Sequence, residues 1–159
     1  MLLKQTLPAI ICLIMYSFEV KEEAQTAELA KLVATSLRGG EVLELIGDVG
    51  AGKTTFVRYL VQALGSSDHV SSPTFTVCNQ YKAGQQIIHH CDFYRLGNDD
   101  RLIEHEIAEM RKPNDILLLE WAENTRVLDK IKPVRIHISL LDDDLRLFKV
   151  ENLQIEGLA

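Results

Sequence analysis

Residues 47–54 read Gly47-Asp-Val-Gly-Ala-Gly-Lys-Thr54. This stretch fits the phosphate-binding pattern G-x-x-x-x-G-K-[ST] at every fixed position, and we call it the glycine loop. The apolar run before it, residues 42–46, predicts a short strand, and the apolar stripe after it predicts a helix over residues 55–64. Because the pattern is meaningful only between a strand and a helix, this context predicts a site for a nucleoside triphosphate.

The residue types of the glycine loop suit a bound anion. Gly47, Gly50 and Gly52 can adopt positive φ and let the backbone approach phosphate oxygens without a clash from Cβ. Successive N–H groups at a helix N-terminus then form a concave site that favours negative charge. The ammonium of Lys53 would contact the β- and γ-phosphates, and the hydroxyl of Thr54 would ligate Mg²⁺.

Composition and charge limit the other functions of the chain. With 159 residues, 47% hydrophobic and 25% charged, it is long enough for one buried core and too short for two full domains. Its 17 basic and 23 acidic residues give a net charge of −6. That charge argues against a broad electrostatic grip on nucleic acid, so we expect no DNA partner, and any RNA only indirectly, through a partner protein.

The N-terminal segment carries an apolar run, residues 9–16, that loosely resembles a signal peptide. The run is too short to span a bilayer, and no small-x-small cleavage site follows it. We therefore expect neither export nor a membrane partner. We favour Met15 as an alternative start, which leaves residues 1–15 as an uncertain leader and residues 16–159 as the P-loop domain.

The cysteines indicate a reducing compartment. Cys12, Cys78 and Cys91 include no C-x-x-C pair and have no nearby histidine at metal-ligand spacing. Unpaired thiols are usual in the cytosol and rare outside it. We therefore predict free thiols and a cytoplasmic location.

Hydrophobic periodicity predicts the rest of the fold. The predicted elements are, in chain order, helix 22–37, hairpin strands 74–81 and 86–91, helix 99–110, and strands 116–119, 134–140 and 145–150. The run 116–119 is continuously apolar, which is typical of a central parallel strand buried on both faces. The mixture of βαβ units and hairpins predicts an α/β fold, a single P-loop NTPase domain of three layers with a mixed parallel and antiparallel sheet.

Two acids are candidates for holding Mg²⁺ or its water shell. Glu120 closes the most apolar strand, and Asp92 closes a less apolar strand nearer the sheet edge. An acid at the end of a buried neighbouring strand is what a phosphate loop needs, so periodicity favours Glu120 for the metal. Asp92 is left to position a water or to sense the γ-phosphate. For either acid, a simple strand cap is the alternative.

Three further features concern the site, and two of them, the segment 71–74 and Trp121, stay open on spacing alone. The segment 71–74, Ser-Ser-Pro-Thr, is either a loop or an element whose hydroxyls bind the γ-phosphate. His89 and His90 are adjacent, so in a strand they face opposite sides and cannot ligate one metal together. Trp121 follows the acid at a strand end, where ligands bind in open α/β sheets, and core packing is its alternative role.

Four motifs together resemble one known family. The glycine loop is followed by Ser72-Pro-Thr-Phe-Thr76, His90-Cys-Asp-Phe-Tyr-Arg95 and Leu119-Glu-Trp-Ala-Glu123. Their order and spacing resemble the TsaE (YjeE) family, P-loop ATPases of bacterial tRNA threonylcarbamoyladenosine synthesis. The likeness runs from about Phe18 to the last strand, and the leader before Met15 lies outside it.

The resemblance implies a set of roles for individual residues. Binding of the triphosphate of ATP would fall to Gly50, Ala51, Gly52, Lys53, Thr54 and Thr55, and Mg²⁺ would be held by Thr54 and Glu120. The catalytic candidates are thus Glu120, Asp92 and Lys53. Asp92, Tyr94 and Arg95 would form a switch-like element, with the segment 72–74 as the other mobile element. Glu23, Thr26 and Glu123 are candidates for contacts near the base.

The resemblance also implies partners and a task. Family members bind a heterodimer of the TsaB and TsaD proteins, and ATP hydrolysis is thought to reset that complex, which modifies the adenosine next to the tRNA anticodon. The alternative is a small P-loop kinase acting on a metabolite, although the arginines are scattered and no compact lid is evident. A GTP-binding switch is disfavoured because no N-K-x-D segment is present to read guanine. A non-hydrolysing scaffold is a further class, and slow turnover of the isolated protein would not prove it.

Overall fold

Strands and helices alternate along the part of the chain that the computed structural model describes, which comprises residues 4–5 (backbone only), 14–97, 99–122, 125–142 and 144–158. The strands are β1 (Lys4–Gln5), β2 (Met15–Val20), β3 (Val42–Ile46), β4 (Cys78–Ala83), β5 (Gln86–Asp92), β6 (Ile116–Glu120), β7 (Val134–Asp142) and β8 (Leu145–Glu151). The helices are α1 (Glu23–Ser36), α2 (Lys53–Ala63), α3 (Asp100–Met110) and α4 (Val127–Ile131), and a 3₁₀ turn covers Tyr94–Leu96.

The strands form one mixed sheet in the order β1-β2-β8-β7-β3-β6-β5-β4. The four strands from β7 to β5 pair in parallel, while the pairs outside them are antiparallel. The carboxyl ends of β3, β5 and β6 therefore meet at one edge, where ligands bind in open α/β sheets. We call it the carboxyl edge.

Helices cover both faces of this sheet. On one face α1 and α2 pack over a core that includes Leu29, Val33, Phe56, Leu60 and Phe148. On the other face α3 and α4 pack against β6 in a second core, which includes Ile103, Ile107, Leu117, Leu119 and Leu128. All five residues of β6 are buried, as the continuous apolar run predicts. The predicted three-layer α/β domain with a mixed sheet is confirmed.

The hairpin begins later than its alternation predicts. The strand predicted over residues 74–81 starts at Cys78, because the carbonyl of Pro73 accepts hydrogen bonds from the N–H groups of Thr76 and Val77 and closes a turn. Phe75, predicted to lie within the strand, is 87% exposed. The short helix α4 carries no prediction from periodicity, since one helical turn is too short to show it.

The prediction of unpaired thiols is wrong for two of the three cysteines. A disulfide joins Cys78 to Cys91, which face each other in the β4–β5 register, and the Sδ of Met110 lies 3.4 Å from each sulfur. The spacing rules miss this pair because the hairpin itself brings positions 13 apart side by side. Cys12 lies outside the described residues.

The N-terminal prediction is only partly covered. β2 begins at Met15, and the backbone of Lys4 and Gln5 pairs with Phe18 and Ser17. Residues 1–3 and 6–13 lie outside the described part, so the leader and domain boundary stay predictions. Within the described ranges, every helix is too short or too polar to cross a bilayer.

Candidate active site at the carboxyl edge of the sheet

The glycine loop links the end of β3 to the start of α2 through a left-handed backbone. Gly50 and Gly52 have φ of 82° and 111°, a region that L side chains rarely enter. Gly47 is needed for a different reason, since a Cβ there would lie 2.5 Å from the carbonyl oxygen of Ile138. The loop therefore runs directly into the N-terminus of α2, and the N–H groups at a helix N-terminus favour an anion.

Lys53, the first residue of α2, turns its ammonium back into the loop. Its Nζ donates hydrogen bonds to the carbonyl oxygens of Gly47 (2.6 Å) and Asp48 (3.1 Å). The same atom lies 3.8 Å from Oε2 of Glu120 and 5.2 Å from the ring centre of Trp121. A buried cation held this way is poised over the loop, where phosphate oxygens would become its partners.

Glu120 closes β6 with its carboxylate at this edge, as predicted. The side chain is 5% exposed, and its Oε1 lies 2.7 Å from Nε2 of His90 on β5. Its other oxygen faces Lys53. Two strands and one helix thus fix this carboxylate in place.

Asp92, at the end of β5, is tied to the segment 72–74. Its Oδ2 accepts a hydrogen bond from the Thr74 hydroxyl (2.8 Å), and that hydroxyl lies 2.9 Å from the hydroxyl of Ser72. Oδ1 accepts from the backbone N–H of Tyr94 (2.9 Å). A single carboxylate therefore connects the two elements that the family resemblance marks as mobile.

One cavity of about 270 Å³ gathers most of the predicted site residues. Its lining comprises residues 49–50 and 52–55 of the loop region together with Ser72, Thr74, Asp92, Glu120 and Trp121. We call it the phosphate cavity. Thr54 and Glu120, the two predicted Mg²⁺ ligands, both line it.

The oxygen donors of the phosphate cavity fit Mg²⁺ only in company with a nucleotide. The described residues include no cluster of three or more His, Cys, Asp or Glu side chains that could hold a metal on their own. Mg²⁺ in phosphate-transfer sites usually takes one or two protein ligands and completes its shell with phosphates and water. One hydroxyl and one carboxylate, Thr54 and Glu120, match that requirement.

Aromatic side chains border the mouth of this cavity. Trp121 is half-buried, and its ring meets that of Tyr94 edge-on at 5.3 Å between centres. Trp121 also has a φ of 56°, a costly backbone conformation for a non-glycine residue, of the kind that clusters at functional sites. Of the two roles left open for Trp121, the structure supports the one at the site.

A second cavity of about 150 Å³ shares lining residues with the first, and we call it the side cavity. Gly50, Gly52 and Thr55 line both cavities. The side cavity adds Glu23 and Thr26 of α1 and Arg146 of β8. Glu23 is exposed there, and its Oε1 accepts hydrogen bonds from Arg58 Nη2 and the Tyr59 hydroxyl, each at 2.5 Å. Glu123 lies outside the described residues.

Sequence reasoning misses two residues of this site. Arg146 donates a hydrogen bond from Nε to the carbonyl oxygen of Ala51 (3.2 Å), and the two residues are 95 positions apart in the chain. His90 contacts Glu120 from 30 positions away. Neither contact can be predicted from local spacing in the sequence, because the residues are brought together by the order of the strands in the sheet.

Comparison with known proteins gives consistent matches along the chain. The family model described as threonylcarbamoyl adenosine biosynthesis protein TsaE matches residues 20–148. The tRNA threonylcarbamoyladenosine biosynthesis proteins TsaE of Rickettsia bellii and Aquifex aeolicus are 34% and 36% identical over 134 and 133 residues, which is 84% and 82% of this chain and 92% of each relative. The Bacillus subtilis protein of that name is 39% identical over 98 residues, 62% of this chain and 61% of the relative. The crystal structure of Bacillus subtilis YdiB superposes with a TM-score of 0.70 at 28% identity, covering 91% of this chain and 90% of that one.

Proposed function

Because the chain belongs to the TsaE family of threonylcarbamoyl adenosine biosynthesis proteins, we propose that it is an Mg²⁺-dependent ATPase that drives or resets the complex forming this tRNA modification. Its place in tRNA threonylcarbamoyladenosine biosynthesis follows from the family. The nucleotide, the metal, the hydrolysis and the partner complex are the parts that we add.

The observation that carries the proposal is the shared cavity of the loop, the lysine and the acid. Lys53 lies within 3.8 Å of Glu120, and both line the phosphate cavity beside Thr54. A triphosphate there would take hydrogen bonds from the loop N–H groups and the Lys53 ammonium, while Thr54 and Glu120 would hold its Mg²⁺. Bound Mg²⁺ would neutralise charge that develops on the phosphates.

The contacts of Asp92 favour a coupling between ATP hydrolysis and rearrangement of the neighbouring segments. The carboxylate lines the phosphate cavity and is bonded to Thr74 and to the N–H of Tyr94. A γ-phosphate or its attacking water would compete for these bonds. Its arrival and loss would therefore rearrange the segment 72–74 and the turn at Tyr94–Leu96, as in other nucleotide switches.

The side cavity is suited to the nucleoside. It shares Thr55 with the phosphate cavity, does not include Glu120, and is also lined by Arg146, Thr26 and Glu23. We place the ribose and adenine there. An Arg146→Ala variant should bind ATP about tenfold more weakly and lose less affinity for inorganic tripolyphosphate, if this placement is right.

The partner complex would dock on the mouth of the phosphate cavity. Val49 lines this cavity and is 87% exposed. Tyr94, which packs against the lining residue Trp121, is 64% exposed, and Phe75, which follows the lining residue Thr74, is 87% exposed. Exposed apolar groups that border a site mark an interaction surface. A heterodimer of the TsaB and TsaD type seated there would sense whether the cavity holds ATP.

Calorimetry and turnover test the proposal together. Wild type should bind Mg·ATP, whereas Glu120→Gln should bind it yet hydrolyse it roughly 100-fold more slowly with the partner complex present. Equal turnover by the two proteins would remove the role given to Glu120. No uptake of Mg·ATP by the folded protein, alone or with the TsaB–TsaD pair, would overturn the proposed function.

A second measurement separates the ATPase from a metabolite kinase. Inorganic phosphate released per ATP consumed should equal one in water, and added small-molecule acceptors should leave that ratio unchanged. A phosphorylated acceptor formed faster than free phosphate would favour the kinase instead.

A further inference from the structure

We infer that His90 is a positioning residue that fixes the Glu120 carboxylate for Mg²⁺, an inference that rests on the proposed function. Its Nε2 lies 2.7 Å from Oε1 of Glu120, and the imidazole is fully buried. The partners sit on adjacent parallel strands, so their contact is set by the sheet itself. A bond this short between buried groups of a rigid sheet is a strong constraint on the acid.

The other ring nitrogen identifies the tautomer. Nδ1 of His90 is buried and has no hydrogen-bond partner among the described residues. An ionised carboxylate can only accept a hydrogen bond, so the contact with Oε1 of Glu120 requires the hydrogen on Nε2 and leaves Nδ1 as a lone pair. The ring therefore carries its hydrogen on Nε2 and donates it to Glu120. The Tyr81 ring, 6.3 Å away between centres, packs beside it.

This hydrogen bond divides the work of the two Glu120 oxygens. Oε1 is held by His90, and Oε2 faces Lys53 at 3.8 Å, where the phosphate cavity opens. A glutamate side chain has several rotatable bonds. Because His90 already restricts them before the metal binds, less conformational entropy is lost when Mg²⁺ is bound. Residues that hydrogen-bond to a metal ligand orient it in this way, and their loss commonly weakens metal binding 10–100-fold.

The neighbouring residue provides a matched control. His89 is also buried, and its Nε2 lies 3.3 Å from Oδ2 of Asp115. It points to the opposite face of the sheet, as alternation requires, and Asp115 is absent from the lining of the phosphate cavity. Replacing His89 therefore removes a buried imidazole and its contact with a carboxylate from the same strand, but leaves the lining of the phosphate cavity unchanged.

The test measures Mg²⁺ directly rather than turnover. Each variant is saturated with a non-hydrolysable ATP analogue, and the Mg²⁺ concentration for half-saturation is found by competition with Mn²⁺ in electron paramagnetic resonance. His90→Leu should raise this concentration about tenfold, since the donor is gone. His90→Gln, whose amide nitrogen reaches the place of Nε2, should recover it to within about threefold, and His89→Leu should leave it at the wild-type value.

Each outcome decides between defined alternatives. Wild-type Mg²⁺ binding in His90→Leu overturns the inference and leaves the proposed function standing. An equal loss of Mg²⁺ affinity in His89→Leu also overturns it, because the loss would then reflect general destabilisation of the sheet. Failure of the wild type to take up the analogue overturns the proposed function and the inference together.

A measurement on the wild type covers the case in which His90→Leu does not fold. Nitrogen-15 NMR of the imidazole should show hydrogen on Nε2 and not on Nδ1, with a shift at Nε2 when Mg²⁺ and the analogue are added. The opposite tautomer, or a silent Nε2, overturns the inference without any variant.

Discussion

Strands β5 and β6 carry two buried histidine–carboxylate pairs, and only one of them lies at a cavity that gathers the glycine loop. His90 and Glu120 meet at the carboxyl end of β6, 2.7 Å apart, and His89 and Asp115 meet at its amino end, 3.3 Å apart. The residue types are nearly the same. What differs is the surroundings, because Glu120 keeps one oxygen turned toward Lys53 and the phosphate cavity.

The Asp115 carboxylate is instead taken up by the fold. Its Oδ1 accepts from the backbone N–H of Ile87 (3.1 Å) and its Oδ2 faces His89. The backbone carbonyl of Asp115 accepts from Gly40 (2.9 Å), which secures the entry to β3. Asp115, whose oxygens have their partners away from the phosphate cavity, serves the fold, whereas Glu120, with one oxygen facing that cavity, can serve chemistry.

Removal of Lys53 is the largest perturbation that separates the two ends. Lys53→Ala should lower the affinity for ATP at least 100-fold, since it deletes a buried cation that faces both the loop carbonyls and Glu120. Calorimetry with Mg·ATP measures this. Asp115→Asn is the control and should keep wild-type affinity while folded. If Lys53→Ala still binds ATP tightly, the phosphate cavity is not the nucleotide site, and the contrast with the Asp115 pair is lost.

Asp115→Asn tests the structural end of the comparison. The variant should lose about 2 kcal/mol of unfolding free energy, because a charged buried acceptor is lost while the amide oxygen still reaches Ile87. Urea unfolding at neutral pH measures the loss. An unchanged midpoint would show that the pair at the amino end contributes nothing to the fold.

The pH dependence of that loss has a definite sign. Burial raises the pKa of Asp115, but the N–H of Ile87, the hydrogen bond and charge of His89, and the charge of Lys112 together outweigh it and lower the pKa below the ordinary value. A depressed carboxyl pKa stabilises the fold above the unfolded value, about 4, and that contribution is lost as the pH falls through the folded value. The gap in stability between wild type and Asp115→Asn should therefore narrow below about pH 4.

The sequence predicts one end of this comparison better than the other. The loop pattern, the apolar run of β6 and the acid that closes it place Glu120 beside Lys53, because strand ends and loops follow local rules. His89 and His90 are predicted to face opposite sides, but their partners are not predictable. Those partners depend on which strands become neighbours, and strand order is set by the packing of the whole sheet.

The wrong predictions have two different causes. The alternation around Phe75 suits a strand, yet a local turn at Pro73 delays the start of the strand and leaves the ring exposed. The pairing of Cys78 with Cys91 follows from hairpin register, which spacing does not give.

Asp92 is intermediate between the two ends, since it lines the phosphate cavity although both its oxygens have protein partners. Asp92→Ala should keep ATP affinity within about threefold and reduce partner-stimulated hydrolysis about tenfold, because the links to Thr74 and Tyr94 are lost. Thr74→Val removes one of these links and should have a smaller effect of the same kind. Unchanged binding and hydrolysis in Asp92→Ala would place Asp92 with Asp115, as an acid that serves the fold.

Glu23 should show the smallest effect, because its side chain is 59% exposed and its ion pair with Arg58 is made in water. Exposed pairs contribute less than about 1 kcal/mol, and a glutamine can keep hydrogen bonds to Arg58 and Tyr59. We therefore expect Glu23→Gln to change ATP affinity less than threefold, measured by calorimetry beside Thr26→Val, which alters the buried neighbour in the same cavity. A tenfold loss of affinity for ATP but not for tripolyphosphate would show that Glu23 contacts the nucleoside itself. An exposed carboxylate would then be functional without the fixed geometry that distinguishes Glu120, and a rigid, buried setting would not be required of every acid that acts on the nucleotide.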